Sequence, residues 1–227
     1  MIADTTAGAA PGHLLTLPGV YAPQDDTGLL ARALCREDIG PGTDVLDLGT
    51  GSGALAVHAA RLGAHVTAVD IAWRAVLTAR LNALAARQRI TVLRGDLTAA
   101  VPGRSYDVVT SNPPYVPSPS RHLPRRGPAR SWDAGQDGRA VVDRICDAAP
   151  RALRPGGVLL MVHSALCGTD DTLRRLSKAG LETSVADRTV IPFGPVLRSR
   201  LAFLRRQGLI EGDKDMEELV VIRAERT

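Results

Sequence analysis

The chain has 227 residues, which is enough to bury a full hydrophobic core and predicts a single folded domain. Hydrophobic residues make up 44% of it and the net charge is +4. No apolar run approaches the roughly 18 residues that cross a bilayer, and the first residues lack the basic region of a signal peptide. We therefore expect no membrane association. Its three cysteines, Cys35, Cys146 and Cys167, are far apart, which argues against a disulfide framework or a metal site and fits a reducing cytoplasm.

Helical periods and short apolar runs alternate along the chain. After a flexible segment expected at residues 1–20, we predict one domain over residues 21–227. The predicted helices cover residues 27–36, 52–61, 72–87, 137–153, 170–178 and 195–207. The predicted strands cover residues 44–48, 65–69, 90–93, 106–110, 158–162, 181–190 and 218–223.

This alternation predicts an α/β fold with a mostly parallel sheet covered by helices on both faces. Runs such as VLLMV at residues 158–162 are apolar throughout, as expected of strands that are buried on both sides. The last two predicted strands differ, because residues 190–215 between them lack a regular crossover pattern. We therefore expect one antiparallel strand near the end of the chain.

The segment VLDLGTGSG at residues 45–53 has the pattern of a strand, a tight turn and the start of a helix. Gly49, Gly51 and Gly53 allow the backbone to turn sharply and to approach a ligand, and the helix that follows offers free N–H groups. The spacing is G-x-G-x-G and not the G-x-G-x-x-G of dinucleotide-binding proteins, which disfavours NAD.

Three acidic residues lie at or next to the carboxyl ends of predicted strands, where ligands bind in such sheets. Asp70 can accept both hydroxyls of a ribose, Asp47 can face an ammonium group, and Asp96 lies where an adenine amino group is expected. Each acid alone could simply cap a local turn. The three together indicate a cationic ligand without phosphate, and S-adenosylmethionine is such a ligand.

The second motif, Asn112-Pro113-Pro114-Tyr115, follows the fourth predicted strand. The side-chain oxygen of Asn112 and the backbone carbonyl of Pro113 can accept the two hydrogens of a planar NH2 group. The paired prolines fix the backbone and bring no competing N–H, and Tyr115 offers a flat face for stacking. An X-Pro-Pro turn after a strand is common, but the asparagine, the tyrosine and the position after the glycine motif together predict an S-adenosylmethionine-dependent methyltransferase that acts on an amide or amine nitrogen.

These motifs resemble those of the HemK-type class I methyltransferases, which modify the glutamine of release-factor GGQ motifs. The stretch YAPQDDT at residues 21–27 is similar to the Y-E-P-x-E-D-T of the shorter branch of this family, and WDAGQDGR at residues 132–139 to its W-x-G-G-x-D-G-R. The resemblance implies a Rossmann-like sheet of seven strands with one antiparallel strand. It also implies cofactor contacts from Thr27, Asp47, Gly49, Asp70, Asp96, Leu97 and Asn112.

About 45 residues precede the glycine motif, so we expect the short branch, without the N-terminal helical domain of bacterial HemK enzymes. Residues 191–208 are expected to form an insertion on the substrate side. Arginines in residues 117–130 and 198–206 form either solvated surfaces or a rim that meets an RNA-bound or acidic substrate.

Three acceptors stay open from the sequence. They are a protein glutamine, with a release factor as partner, a small molecule or peptide in a specialised pathway, and a nucleobase amino group. The last is disfavoured, because the chain has few aromatic residues for stacking and no target-recognition domain, so we expect no direct binding of nucleic acid. A small activating subunit also stays open.

Overall fold

A computed structural model describes residues 14–227, and seven strands form one sheet within them. The strands are β1 (Asp44–Leu48), β2 (His65–Asp70), β3 (Ile90–Arg94), β4 (Tyr106–Ser111), β5 (Leu153–Ser164), β6 (Glu182–Pro192) and β7 (Met216–Glu225). Their order across the sheet is β3-β2-β1-β4-β5-β7-β6. The first five strands are parallel, whereas β7 is antiparallel to both of its neighbours, which confirms the predicted antiparallel strand near the end of the chain.

Seven α-helices accompany the sheet in the described part of the chain. They are α1 (Asp25–Leu34), α2 (Ala54–Arg61), α3 (Trp73–Ala85), α4 (Val142–Ala152), α5 (Thr169–Lys178), α6 (Pro195–Ser199) and α7 (Leu201–Arg206). One hydrophobic core lies between the sheet and α1, α2 and α3, and a second lies between the opposite face and α4 and α5. Alternate residues of β5 enter opposite cores: Leu160 belongs to the first and Leu159 to the second. The prediction of helices on both faces is therefore confirmed.

Two predicted helices differ from the observed ones. The helix predicted at residues 137–153 begins only at Val142, because Gly138 has a φ of 75°, which is not helical. A Cβ at Gly138 would lie 2.3 Å from the carbonyl oxygen of Tyr115, so that loop packs directly on the Asn-Pro-Pro-Tyr segment. The helix predicted at residues 195–207 is split at Arg200 into α6 and α7.

The flexible segment expected at residues 1–20 lies mostly outside the described residues. Of its remainder, Leu15 exchanges two backbone hydrogen bonds of 2.8 Å with the side-chain amide of Asn82 on α3. None of the helices in residues 14–227 is long and apolar enough to cross a membrane.

Candidate active site

The glycine segment forms a tight turn between β1 and α2, and two N–H groups at the start of the turn bind to β2. The N–H groups of Gly49 and Thr50 donate to the carbonyl of Val69 at 2.9 and 3.0 Å. Gly53 is required for packing, because a Cβ there would lie 3.0 Å from Cα of Ala79 on α3. Gly49 and Gly51 have φ angles of 71° and 55°, and a Cβ at either position would meet no side chain within 4 Å. The turn therefore leaves an open backbone surface at the carboxyl end of β1.

Asp47, on β1, is a buried carboxylate with an unused oxygen. It is 1% exposed, and its Oδ2 accepts a hydrogen bond of 2.5 Å from the hydroxyl of Thr50. Its Oδ1 has no hydrogen-bond partner among the described residues. Burial raises the pKa of Asp47 to about 7; the bond from Thr50 and the nearby backbone N–H of Ala56 oppose this shift, and the charge of Asp70 adds to it. A cationic group that met Oδ1 would satisfy the oxygen and favour the ionised form.

Asp70 ends β2 and lies beside the glycine turn. Its carboxylate accepts hydrogen bonds from the N–H groups of Gly51 at 3.0 Å and Ala72 at 2.8 Å. Burial raises the pKa of Asp70, and these two bonds and the nearby charge of Arg130 oppose the shift. The structure thus brings Asp47, Asp70 and the glycine turn together, as the sequence predicted.

Asp96 and Leu97 lie just beyond β3, in a different environment. Asp96 is exposed and forms an ion pair of 2.8 Å with Arg144 of α4. Leu97 has a φ of 49°, a left-handed conformation that is uncommon for a residue with a side chain and often marks a functional site. Asp96 therefore has a protein partner here, unlike the unused oxygen of Asp47.

The Asn-Pro-Pro-Tyr segment leaves β4 next to the end of β1, where the hydroxyl of Ser111 donates to the carbonyl of Leu48 at 2.8 Å. Pro113 is buried, and Asn112 and Pro114 are partly exposed. The side-chain Nδ2 of Asn112 lies 3.3 Å from the hydroxyl oxygen of Thr27 on α1. Two predicted site residues that are 85 positions apart in the chain are thus in contact.

Tyr115 connects the segment to residues that the sequence analysis did not assign to the site. Its hydroxyl donates to Oδ2 of Asp26 at 3.0 Å, and the hydroxyl of Tyr21 donates to the same oxygen at 2.9 Å. Burial, together with the charge of Asp26, raises the pKa of both tyrosines above the ordinary value. Asp26 lies in the stretch YAPQDDT, and the similarity of this stretch to the family motif could have assigned Asp26 to the site.

Glu217, on β7, is a second residue that the sequence analysis missed. It is 7% exposed, and its Oε2 has no hydrogen-bond partner among the described residues. Burial raises its pKa to about 7, a hydrogen bond with Ser164 opposes the shift, and the charge of Asp26 adds to it. No motif surrounds Glu217 in the sequence, so its position near Asp26 could be found only from the fold.

Residues 191–208 pack against the loop that follows the Asn-Pro-Pro-Tyr segment. Arg200 forms an ion pair of 2.6 Å with Asp133 and donates to the carbonyl of Pro117 at 2.9 Å. Phe193, Leu197, Phe203, Leu204 and Ile210 form a separate buried cluster, and Val116 packs against it. The buried side chains of this segment stabilise it and are not available to an acceptor.

Arginines of the preceding loop line the outside of the same region. Arg121, Arg125 and Arg126 are exposed, whereas Arg130 is partly buried and is close enough to Asp70 to affect its pKa. The arrangement therefore has buried acids within and exposed arginines at the surface. An unused buried carboxylate oxygen, a second carboxylate at a strand end and an open glycine turn fit a cationic ligand with ribose hydroxyls.

Comparisons with known proteins agree with these features. A family model described as "Methyltransferase small domain" matches residues 12–122. A putative protein N5-glutamine methyltransferase of Methanocaldococcus jannaschii is 33% identical over 177 residues, which cover 78% of this chain and 88% of that relative. The release factor glutamine methyltransferase of Bordetella pertussis is 40% identical over 162 residues, which cover 67% of this chain and 60% of the relative.

Among solved structures, a chain of the E. cuniculi Mtq2–Trm112 complex matches with a TM-score of 0.64 and 26% identity. The match covers 92% of this chain and 99% of that chain, and that complex methylates the translation termination factor eRF1. This chain therefore spans most of the archaeal relative and of the E. cuniculi chain, but only 60% of the length of the Bordetella relative.

Proposed function

Because this chain belongs to the family of protein N5-glutamine methyltransferases, we propose that it transfers the methyl group of S-adenosylmethionine to the side-chain nitrogen of a glutamine in a protein. The observation that carries the proposal is the contact between Asn112 and Thr27, with 3.3 Å between Nδ2 and Oγ1. This contact joins the Asn-Pro-Pro-Tyr motif, which is expected to bind the methyl acceptor, to a residue that is expected to contact the cofactor. Methyl donor and acceptor nitrogen would therefore meet beside Asn112, in a domain that covers residues 21–227.

Residues at the ends of β1, β2 and β3 would hold the cofactor. Asp47, with its unused Oδ1, suits the ammonium of the methionine part, and Asp70 suits the ribose hydroxyls. Asp96 and Leu97 would lie at the adenine, while Gly49 and Gly51 keep the turn open and Gly53 lets it pack against α3. When bound, S-adenosylmethionine supplies a methyl group on a positively charged sulfur.

Asn112 and Pro113 would prepare the acceptor. An amide nitrogen is a weak nucleophile because its lone pair is delocalised into the carbonyl group. Hydrogen bonds from the substrate NH2 to the Asn112 side-chain oxygen and the Pro113 carbonyl would fix the plane of the amide, so that the lone pair faces the methyl group. One of these N–H protons is lost to water once the nitrogen carries the methyl group. Pro114 keeps the turn rigid, and the ring of Tyr115 covers one face of the planar group.

We further propose that the acceptor protein is a peptide chain release factor. The names of the Bordetella relative and of the E. cuniculi complex both refer to such factors, which supports this choice. The exposed arginines Arg121, Arg125 and Arg126, together with residues 191–208, would form the surface that meets the factor. An activating subunit is part of the proposal, because the E. cuniculi protein was solved as a complex with Trm112.

Methyl transfer to defined acceptors tests the proposal. The protein is incubated with methyl-labelled S-adenosylmethionine and a release factor that carries a GGQ loop, with and without a cell extract as the source of an activating subunit. Mass spectrometry should place the methyl group on the glutamine of that loop, and a factor with asparagine in place of that glutamine should stay unlabelled. Label that enters only small molecules or nucleic acid from the extract would contradict the proposed acceptor.

A further inference from the structure

Four hydrogen bonds converge on the buried carboxylate of Asp26, which is 3% exposed. Its Oδ2 accepts from the hydroxyls of Tyr21 and Tyr115. Its Oδ1 accepts from the backbone N–H of Thr27 at 2.6 Å and from the hydroxyl of Thr27 at 3.2 Å. Both carboxylate oxygens therefore act as hydrogen-bond acceptors, each for two donors.

These bonds determine the direction of the Thr27 hydroxyl. Its single proton points to Oδ1 of Asp26, which already accepts from the backbone N–H of Thr27. The oxygen of the hydroxyl can then only accept from Asn112. The amide nitrogen of Asn112 is the group at 3.3 Å, as this argument requires. The side-chain oxygen of Asn112 therefore stays available to accept a hydrogen bond from the NH2 group of the substrate.

We propose that Asp26 is a positioning residue for methyl transfer, an inference that rests on the proposed function. Through Thr27 it selects which end of the Asn112 amide meets the substrate NH2, and through the hydroxyl of Tyr115 it holds the aromatic ring beside that group. Asp26 acts through these side chains and has no chemical role of its own.

The inference has a clear physical consequence when the carboxylate is removed. The Thr27 hydroxyl is then free to donate its proton to the oxygen of Asn112. The amide can turn by half a rotation, so that its NH2 faces the NH2 of the substrate. Two donors that face each other form no hydrogen bond, and the acceptor loses one of the two contacts that orient it.

Two substitutions at Asp26 test this directly, with the rate measured at saturating cofactor. Asp26→Leu keeps the branched shape but has no acceptor, and kcat should fall about tenfold to a hundredfold, as for the loss of one positioned polar contact. Asp26→Asn keeps an oxygen that can accept from Thr27, and it should recover most of that loss. Asp25→Leu is the matched control, because Asp25 is the exposed neighbour in the same helical turn and should leave kcat within about twofold.

Two substitutions at Thr27 test the same step from the other side. Thr27→Val leaves Asp26 and both tyrosine bonds in place and removes only the hydroxyl, so kcat should fall by a similar factor. Thr27→Ser keeps a hydroxyl and should recover most of the rate. Asp26→Leu should cost less in the Thr27→Val background than in the wild type, because both changes remove one shared step, whereas a purely structural role predicts additive losses.

The inference is overturned if Thr27→Val keeps the wild-type kcat, or if the two losses add in full. If thermal unfolding shows that Asp26→Leu does not fold, Thr27→Val and Thr27→Ser decide alone. If the wild type methylates a nitrogen acceptor other than glutamine, the proposed function fails, but the same variants assayed on that acceptor still test Asp26.

Discussion

A change of pH from 8 to 6 should weaken the binding of S-adenosylmethionine about tenfold, with Asp47 as the cause. Burial raises the pKa of this carboxyl to about 7, and its Oδ1 has no partner among the described residues. A pKa near 7 leaves the group about nine-tenths ionised at pH 8 and about one-tenth ionised at pH 6. In the proposed site the ammonium of the cofactor meets Oδ1 of Asp47 and needs its ionised form, so the affinity should fall in proportion to the ionised fraction.

The variant Asp47→Asn separates this effect from other titrating groups. At pH 8 it should bind S-adenosylmethionine roughly tenfold to a hundredfold more weakly than the wild type, because a charge-assisted hydrogen bond contributes about 1.5–3 kcal/mol. Its affinity should then change little between pH 8 and pH 6. 5′-Methylthioadenosine, which carries the adenosine but no ammonium, is the matched ligand, and its binding to the wild type should not follow the ionisation of Asp47.

The free energy of unfolding gives a second measurement, and its pH dependence is opposite to that of cofactor binding: it should decrease as the pH rises. In the free protein Asp47 and Glu217 titrate near 7, above the ordinary values of 3.8 and 4.5, so the folded state binds more protons than the unfolded state between about pH 4 and pH 7. Their contribution to stability is present at low pH and is lost as the pH rises through 7. Urea unfolding of Asp47→Asn should therefore depend less on pH in this range.

Isothermal titration calorimetry at several pH values measures the binding part. The explanation is refuted if the affinity of the wild type for S-adenosylmethionine is the same at pH 8 and pH 6. It is also refuted if Asp47→Asn shows the same pH dependence as the wild type.

Further changes should separate cofactor binding, turnover, encounter and stability. Asp70→Ala should weaken cofactor binding at least about tenfold in calorimetry, because it removes a carboxylate that can bond two hydroxyls. Asn112→Ala should lower kcat about a hundredfold and leave the cofactor Kd within about threefold; a rate near wild type would place the acceptor elsewhere. Phe203→Ala should cost about 3 kcal/mol of stability in urea unfolding, because the side chain lies in the buried cluster of residues 193–210. Alanine substituted together at the exposed loop arginines Arg121, Arg125 and Arg126 should slow association with a release factor in stopped-flow measurements and make the rate depend less on salt. An unchanged rate would remove this loop from the interface.

Those parts of the molecule that depend on local pattern could be predicted from the sequence. Six of the seven strands were expected within two residues of their observed ends, because buried strands are continuous apolar runs. The exception is β5, which begins at Leu153, five residues earlier than expected, because its first residues, LRPGG, have the pattern of a helix end. The position of Asp47 and Asp70 beside the glycine turn also followed, since the carboxyl ends of parallel strands share one edge of the sheet. The family recognised from the motifs is confirmed by its relatives.

The parts that depend on distant packing could not be predicted. The start of α4 was placed too early, because the contact of Gly138 with the Tyr115 carbonyl is a tertiary constraint. Glu217 lies more than 100 residues after Tyr115, and no pattern around it indicates that β7 brings it near Asp26. The burial of Phe193 in a cluster of its own likewise needed the fold, since its apolar character alone was equally compatible with an exposed lid.

The charges of the site are separated by depth, and this separation fits a reaction with two very different substrates. The acids Asp26, Asp47 and Glu217 are buried, and a carboxylate charge at such a depth acts strongly on any cation that enters. The arginines of the outer loop lie in water, where they act over longer distances and mainly on the rate of encounter. Because Arg130 of the same loop lies close enough to Asp70 to favour its ionised form, the outer loop is electrostatically linked to the acids at the ends of the strands.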